Sequence, residues 1–243
     1  MRKASTAVGI LAGGILISTA ALGAPLQFVA HLQPLNNSGV TGLARLTLDG
    51  DLLRVRINAT GLEPGQPHAQ HIHGLLDGAG DPIDSTTPTV AGNDTDGDGF
   101  VEVIEGVSSY GDVILSLSSP PAENPGDLMF PTADDGTIDF DQTYDLSNEA
   151  ILFSPVTGTQ YTAADILPLH LREIVIHGLT APAGGSPLSP TGEVGSGDPT
   201  YIPVLPAAAG EISAVPLPAA GLLMAPGLLA FAAAARRRRP SDS

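Results

Sequence analysis

The stretch from Leu46 to Gly74 reads LTLDGDLLRVRINATGLEPGQPHAQHIHG. Two runs of alternating residues, Gly42 to Leu48 and Leu52 to Ala59, flank Asp49-Gly50, a dipeptide suited to a tight turn, and this combination predicts a β-hairpin. On the first arm Ala44, Leu46 and Leu48 share one face, with Leu43, Arg45 and Thr47 on the other. On the second arm Leu53, Val55 and Ile57 face inward and Arg54 and Arg56 face water. Beyond Gly61-Leu62 a short strand, Ala69 to His73, carries His71 and His73. Side chains two residues apart in a strand project from the same face, so these imidazoles can converge.

Further strands are expected at Leu26 to Leu32, Val113 to Leu117, Thr137 to Tyr144, Leu171 to Ile176 and Ile202 to Ser213. Residues 77–99 and Gly178 to Pro199 read as loops, and Ala163 to Leu167, capped by Thr162, as a short helix. Short strands punctuated by Gly and Pro predict an all-β domain over residues 24–213, an antiparallel Greek-key β-sandwich or barrel. The chain has no cysteine, so stability must come from its core rather than from disulfides.

The two ends differ from this domain. Met1-Arg2-Lys3 precedes an apolar, small-residue run that closes with Ala21-Leu22-Gly23, the pattern of a secretory signal peptide spanning residues 1–23. Residues 214–243 form a tail: Val215-Pro216-Leu217-Pro218-Ala219, an apolar stretch to Ala235, and the cluster Arg236 to Arg239. From Leu217 the stretch is 19 residues long, close to the ~20 that cross a bilayer core as a transmembrane helix. The arginines hold the extreme C-terminus on the cytoplasmic side and leave the domain outside.

Of 10 Lys and Arg residues only four arginines lie within 24–215, against 25 of the 26 acids, giving a lysine-free domain of net charge near −21. Such a surface excludes non-specific nucleic-acid binding, which depends on cationic contacts to phosphate. It favours cations.

Two groups could hold them. His71 and His73, closed by His177 at the end of Glu173-Ile174-Val175-Ile176-His177, offer imidazole ligands suited to copper or zinc. The run Asp94-Thr95-Asp96-Gly97-Asp98-Gly99-Phe100-Val101-Glu102-Val103-Ile104-Glu105 has oxygen donors at positions 1, 3 and 5, glycine at 6 and glutamate at 12, the spacing of a calcium loop. Asp94, Asp96, Asp98, the Phe100 carbonyl, Glu102 and Glu105 are its candidate ligands for Ca²⁺. Residues 77–93 predict no amphipathic helix before it. No Gly-x-Ser-x-Gly elbow accompanies the serines and histidines, so hydrolase chemistry has no support.

Three resemblances bear on these readings. The tail resembles the PEP-CTERM sorting signals of Gram-negative bacteria in the VPLPA variant, which implies an exosortase, a membrane transpeptidase-like protease, as processing partner. The run from Leu46 to Gly74 resembles the CHRD domain of exported proteins. Together with LREIVIHGLTAPAGG, from Leu171 to Gly185, it is also similar to the Cu,Zn superoxide dismutase sandwich, in which a His-x-His strand and a late strand ending in His carry copper. The matching positions are His71, His73 and His177. The chain departs from the dismutases in its loops: residues 77–111 contain no histidine, and Ala207-Ala208-Ala209-Gly210 stands where that fold has its second cysteine. Superoxide is an anion and its capture needs a positive guide, which this acidic domain lacks.

The expectation is therefore an exported, non-catalytic binding or structural protein of the envelope or extracellular matrix, anchored in the membrane at least transiently and braced by calcium. The alternative is a copper-binding or dismutase-like metalloprotein. Mass spectrometry of the protein from native cells should find a mature N-terminus following Gly23 and a C-terminus near Val215 to Ala219; a chain retaining Arg236 to Arg239 would contradict processing at the motif.

Overall fold

In the computed structural model residues 24–186 and 191–216 are described. The signal-peptide segment, the apolar tail and three residues of the sorting motif (Leu217, Pro218 and Ala219) lie outside them. Among the described residues no helix is long and apolar enough to cross a membrane.

Ten strands, all paired antiparallel, account for most of the regular structure. They are β1 (Leu26–Pro34), β2 (Thr41–Asp49), β3 (Leu52–Thr60), β4 (Gln70–Leu76), β5 (Pro82–Ile83), β6 (Asp112–Ser116), β7 (Thr137–Asp145), β8 (Glu173–Ala183), β9 (Val194–Glu211) and β10 (Ser213–Ala214). One layer runs β1–β2–β3–β7 and the other β6–β4–β8–β9. Strand β1 joins them, pairing with β2 from Leu26 to Leu32 and with β9 at Gln33 and Pro34. Ala44, Leu46, Val55, Ile57, Phe140 and Tyr144 of the first layer pack against Ile72, Ile114, Leu115, Ile174 and Ile176 of the second in one core. The arrangement is sandwich-like and the sheet is open. Among the described residues β7 pairs only with β3 and β6 only with β4, so the barrel alternative does not hold.

The β2–β3 hairpin forms as the alternation dictates. Leu53, Val55 and Ile57 are buried and Arg54 and Arg56 exposed. Burying one such aliphatic side chain contributes ~1.5–3 kcal/mol, and a slip of one residue would turn the whole set to solvent.

Two expectations fail. The Gly/Pro-rich segment from Gly178 to Pro199 is not a loop throughout: β8 continues to Ala183 and β9 starts at Val194. Pro182 and Pro199 lie opposite each other within this pairing. Ala181, Val194, Ile202 and Leu205 form a separate small core there. The other surprise is helical. A single turn, α1 (Val90–Asn93), immediately precedes Asp94, and α2 (Val103–Tyr110) follows the acidic run. Helix α3 (Ala163–Ile166) stands where expected, with Thr162 and Asp165 capping each other.

Arg172 is completely buried between α3 and the β4–β5 edge. Its guanidinium donates to five backbone carbonyls: Ile166 (3.2 Å), Leu75 (3.3 Å), Ile83 (3.2 Å), Leu171 (3.2 Å) and Asp165 (2.7 Å). Burial depresses its pKa. The one ion pair among the described residues, Arg54 with Asp141, is instead on the surface. Replacing Arg172 by Met removes the donor from these carbonyls, of which Leu171's also accepts from Ser85 N, and should cost ~2–4 kcal/mol, whereas Arg54→Ala, at an exposed pair, should change stability far less. Denaturant unfolding of the two variants checks the contrast.

Candidate metal centre

Strand β4 has Ile72 in the core and therefore turns His71 and His73 to its other face. Val175 lies opposite His71 and Glu173 opposite His73 on β8. Continuing that strand by two residues brings His177 to the same face. The register is irregular beside two of the three histidines. Opposite the Ile72–His73 step β6 carries an extra residue, Ile114, and the β8–β9 pairing shifts on both sides of His177. Bulges of this kind re-aim side chains at binding sites.

The three imidazoles converge. Their ring centroids are 5.6 Å (His71–His73), 5.1 Å (His71–His177) and 5.7 Å (His73–His177) apart. Each offers one ring nitrogen within 4.8 Å of the other two. His73 Nδ1 faces the Gly111 carbonyl at 3.1 Å, and His177 Nδ1 the Val204 carbonyl at 2.6 Å. A carbonyl only accepts, so in both rings the proton sits on Nδ1 and Nε2 keeps its lone pair. Neither Nε2, nor Nδ1 of His71, has a hydrogen-bond partner, although all are sealed from solvent. They are three of seven such atoms among the described residues, so unmet polar capacity is concentrated here. Unpaired buried nitrogens cost free energy, and an ion accepted by all three lone pairs removes that cost. The residues present fit a transition metal.

Burial determines how these groups titrate. Burial, reinforced by its two neighbours His177 and His73, holds His71 well below the usual imidazole value. Burial also brings His73 down to about 4 and His177 to about 3. All three are neutral, ligand-ready imidazoles at neutral pH.

The wall around them comes from segments that the alternation of strands did not reveal. Phe130 packs edge-on to His71, with centroids 5.3 Å apart, and Tyr110 packs on His73 at 4.6 Å. Tyr110 is the last residue of α2, and its hydroxyl donates to the Val103 carbonyl at 3.0 Å. Opposite His71 stands Ser116, whose hydroxyl is unpartnered. The Glu173 carboxyl is buried and accepts from the Thr87 hydroxyl; burial raises its pKa to about 8. Of the remaining histidines, His68 lies between the carbonyls of His177 (2.9 Å) and Glu63 (3.1 Å), while His31 and His170 are exposed.

The acidic run folds as a series of tight turns. Asp94 accepts from Gly97 N (2.7 Å) and Gly99 N (2.9 Å), Asp96 from Asp98 N (3.2 Å), and Asp98 from Phe100 N (2.9 Å). Gly99 has φ 94°, the sharp turn that its position requires. Carboxylate oxygens of Asp94, Asp96 and Glu105 lie within 4.8 Å of one another, and Asp98 Oδ2 is buried without a partner. Glu105 also accepts from Thr95 N and from Thr95 Oγ1, both at 2.6 Å, and from Glu102 N at 3.2 Å, which caps α2. The Glu102 carboxyl accepts from Val194 N at 3.1 Å and lies against the Glu105 carboxyl. Burial and the neighbouring Glu105 raise its pKa.

Against known proteins, the chain matches no family model and no curated sequence.

The pH dependence of folding follows from these groups. The unfolded chain protonates its histidines near 6.5, while the folded one resists protonation down to about 4 at His73 and about 3 at His177. Their contribution is complete above pH ~6.5 and is lost as the pH falls through that window. Glu173 has the opposite sign: its contribution is complete below pH ~4.5 and disappears as the pH rises through about 8. Melting temperatures of the metal-free protein should therefore peak in the mildly acidic range. Glu173→Gln should make the alkaline limb shallower and leave the acid limb standing. The remainder of the alkaline limb belongs to Glu102, whose pKa is likewise raised to about 8. An unchanged alkaline limb would contradict the assignment.

Proposed function

We propose that the chain is an exported metal-binding protein of the cell envelope or extracellular matrix, holding a transition metal, copper or zinc, at His71, His73 and His177. The observation that carries the proposal is the set of three solvent-sealed ring nitrogens without protein partners, within reach of a single ion. The neutral state of the rings and the carbonyl partners of His73 and His177 support it, since they leave lone pairs free for an ion. The dismutase-like and CHRD-like resemblances point the same way, and so does the adjacency of the His-x-His strand β4 to β8. A Greek-key ordering of the sandwich belongs to this reading. Export follows from the signal-like N-terminus and from the tail resembling a PEP-CTERM signal, with an exosortase-type protease as partner.

The role is one of binding or structure rather than dismutation. Arg54 is paired with Asp141 on the surface, Arg172 is committed to carbonyls, and Arg45 and Arg56 lie on the outer face of the other layer. None supplies a positive guide at the histidines.

A second ion, Ca²⁺, belongs to the loop from Asp94 to Glu105, where it braces the segment between β5 and α2. Asp94, Asp96, Asp98, the Phe100 carbonyl and Glu105 are its ligands. Glu102, whose carboxyl lies against that of Glu105, completes the acidic set.

Both ions are testable on the purified full-length chain. Elemental analysis should find one equivalent of transition metal, lost in His71→Ala/His73→Ala; failure to take up any such metal would sink the proposal. With an affinity near ~10⁻⁴ M, 1 mM Ca²⁺ should add ~1.4 kcal/mol of stability. Asp94→Asn/Asp96→Asn should abolish the resulting rise in melting temperature and leave the transition-metal content unchanged.

A further inference from the structure

We infer that the histidine centre selects cuprous copper over cupric copper and zinc, an inference that rests on the metal-binding reading above. Donor number is the first ground. Among the described residues no fourth His, Asp or Glu joins His71, His73 and His177 in the cluster. Structural zinc takes four protein ligands and catalytic zinc three plus a water; cupric copper favours a square-planar or tetragonal set. Cuprous copper, with a filled d shell, is satisfied by three donors.

Access is the second ground. The unpartnered nitrogens of all three rings each expose less than 1 Å², and Phe130 and Tyr110 pack against the rings. A water completing a zinc or cupric sphere has no solvent-facing position on that side of the histidines.

Charge is the third. Three neutral imidazoles bring no negative charge, and the cost of burying an ion grows with the square of its charge, about fourfold from a monovalent to a divalent ion. The Asp112 carboxylate influences His73 from outside the three donors and is held by the hydroxyls of Ser154 (2.7 Å), Thr157 (2.6 Å) and Tyr161 (2.8 Å). It supplies a single negative charge, enough to balance a monovalent ion but not a divalent one. The remaining unpartnered oxygen opposite His71, Ser116 Oγ, is an uncharged hydroxyl. A buried pocket of three neutral nitrogens with one neighbouring carboxylate suits a monovalent ion.

The test is a competition on the metal-free full-length chain under anaerobic conditions. Cu(I) is delivered from a chromophoric chelator, and Zn(II) and Cu(II) are titrated separately. The expected result is one equivalent of Cu(I), an X-ray absorption edge of a three-coordinate cuprous ion, and no displacement by a ~100-fold excess of Zn(II). His71→Gln/His177→Gln, with its fold checked by circular dichroism, should weaken Cu(I) binding by more than ~100-fold. Zinc or cupric copper held as tightly as Cu(I), and lost in the same variant, would overturn the selectivity while leaving a metal centre in place. No uptake of any of the three ions by the unaltered protein would overturn both. The competition on the unaltered protein decides selectivity without relying on a variant to fold.

Discussion

Ile72 occupies the core between the two layers, and because side chains alternate along a strand, its burial decides where its neighbours point. With Ile72 inside, His71 and His73 must share the opposite face. The pairing of β4 with β8 then brings His177 beside them. The rest of the site is built around that register. One apolar side chain, with no polar atom of its own, thus orders three imidazoles on two strands.

Holding imidazoles in that place is unfavourable in itself. Rings with nitrogens sealed from water and unpaired violate the rule that buried polar groups find partners. The fold relieves part of this through the Gly111 and Val204 carbonyls and leaves the remainder concentrated on three atoms. Arg172 shows the alternative treatment. It is equally buried, yet each of its guanidinium nitrogens has at least one carbonyl to donate to. Satisfied polarity ties α3 to the β4–β5 edge, and unsatisfied polarity lies where an ion can complete it. Local rules break at sites of this kind and hold elsewhere.

Much of this was legible in the sequence. The β2–β3 hairpin followed from its period and its Asp-Gly turn, and the His-x-His spacing gave two of the three imidazoles a common face. His177 was legible through the second strand and through resemblance. Helix α2 was missed because its residues, Val103 to Tyr110, include Gly106 and a Ser-Ser pair of weak helical preference. Glu102 and Glu105, three apart as in a capping box, were the available signal, and the calcium spacing absorbed them. With α2 went Tyr110, the ring against His73. The β8–β9 hairpin was hidden by prolines and glycines that usually mark loops. Nothing in the composition around Arg172 signals a fully buried cation, since its partners are backbone carbonyls that every sequence possesses.

Gly74 on β4 and Gly111, just before β6, touch through their backbones: a Cβ at Gly111, where φ is 83°, would sit 2.0 Å from the Gly74 carbonyl oxygen. Residues 75–110 therefore begin and end at one point of the sandwich. Closing a longer excursion costs little, because loop entropy grows only with the logarithm of length. The interior of this segment is also tied to the sandwich, at Ile83, whose carbonyl accepts from Arg172, and at Thr87, whose hydroxyl donates to Glu173. Added length therefore belongs in its exposed turns, such as Asp77 to Asp81, and not at the two glycine ends, where any side chain would meet the opposing strand.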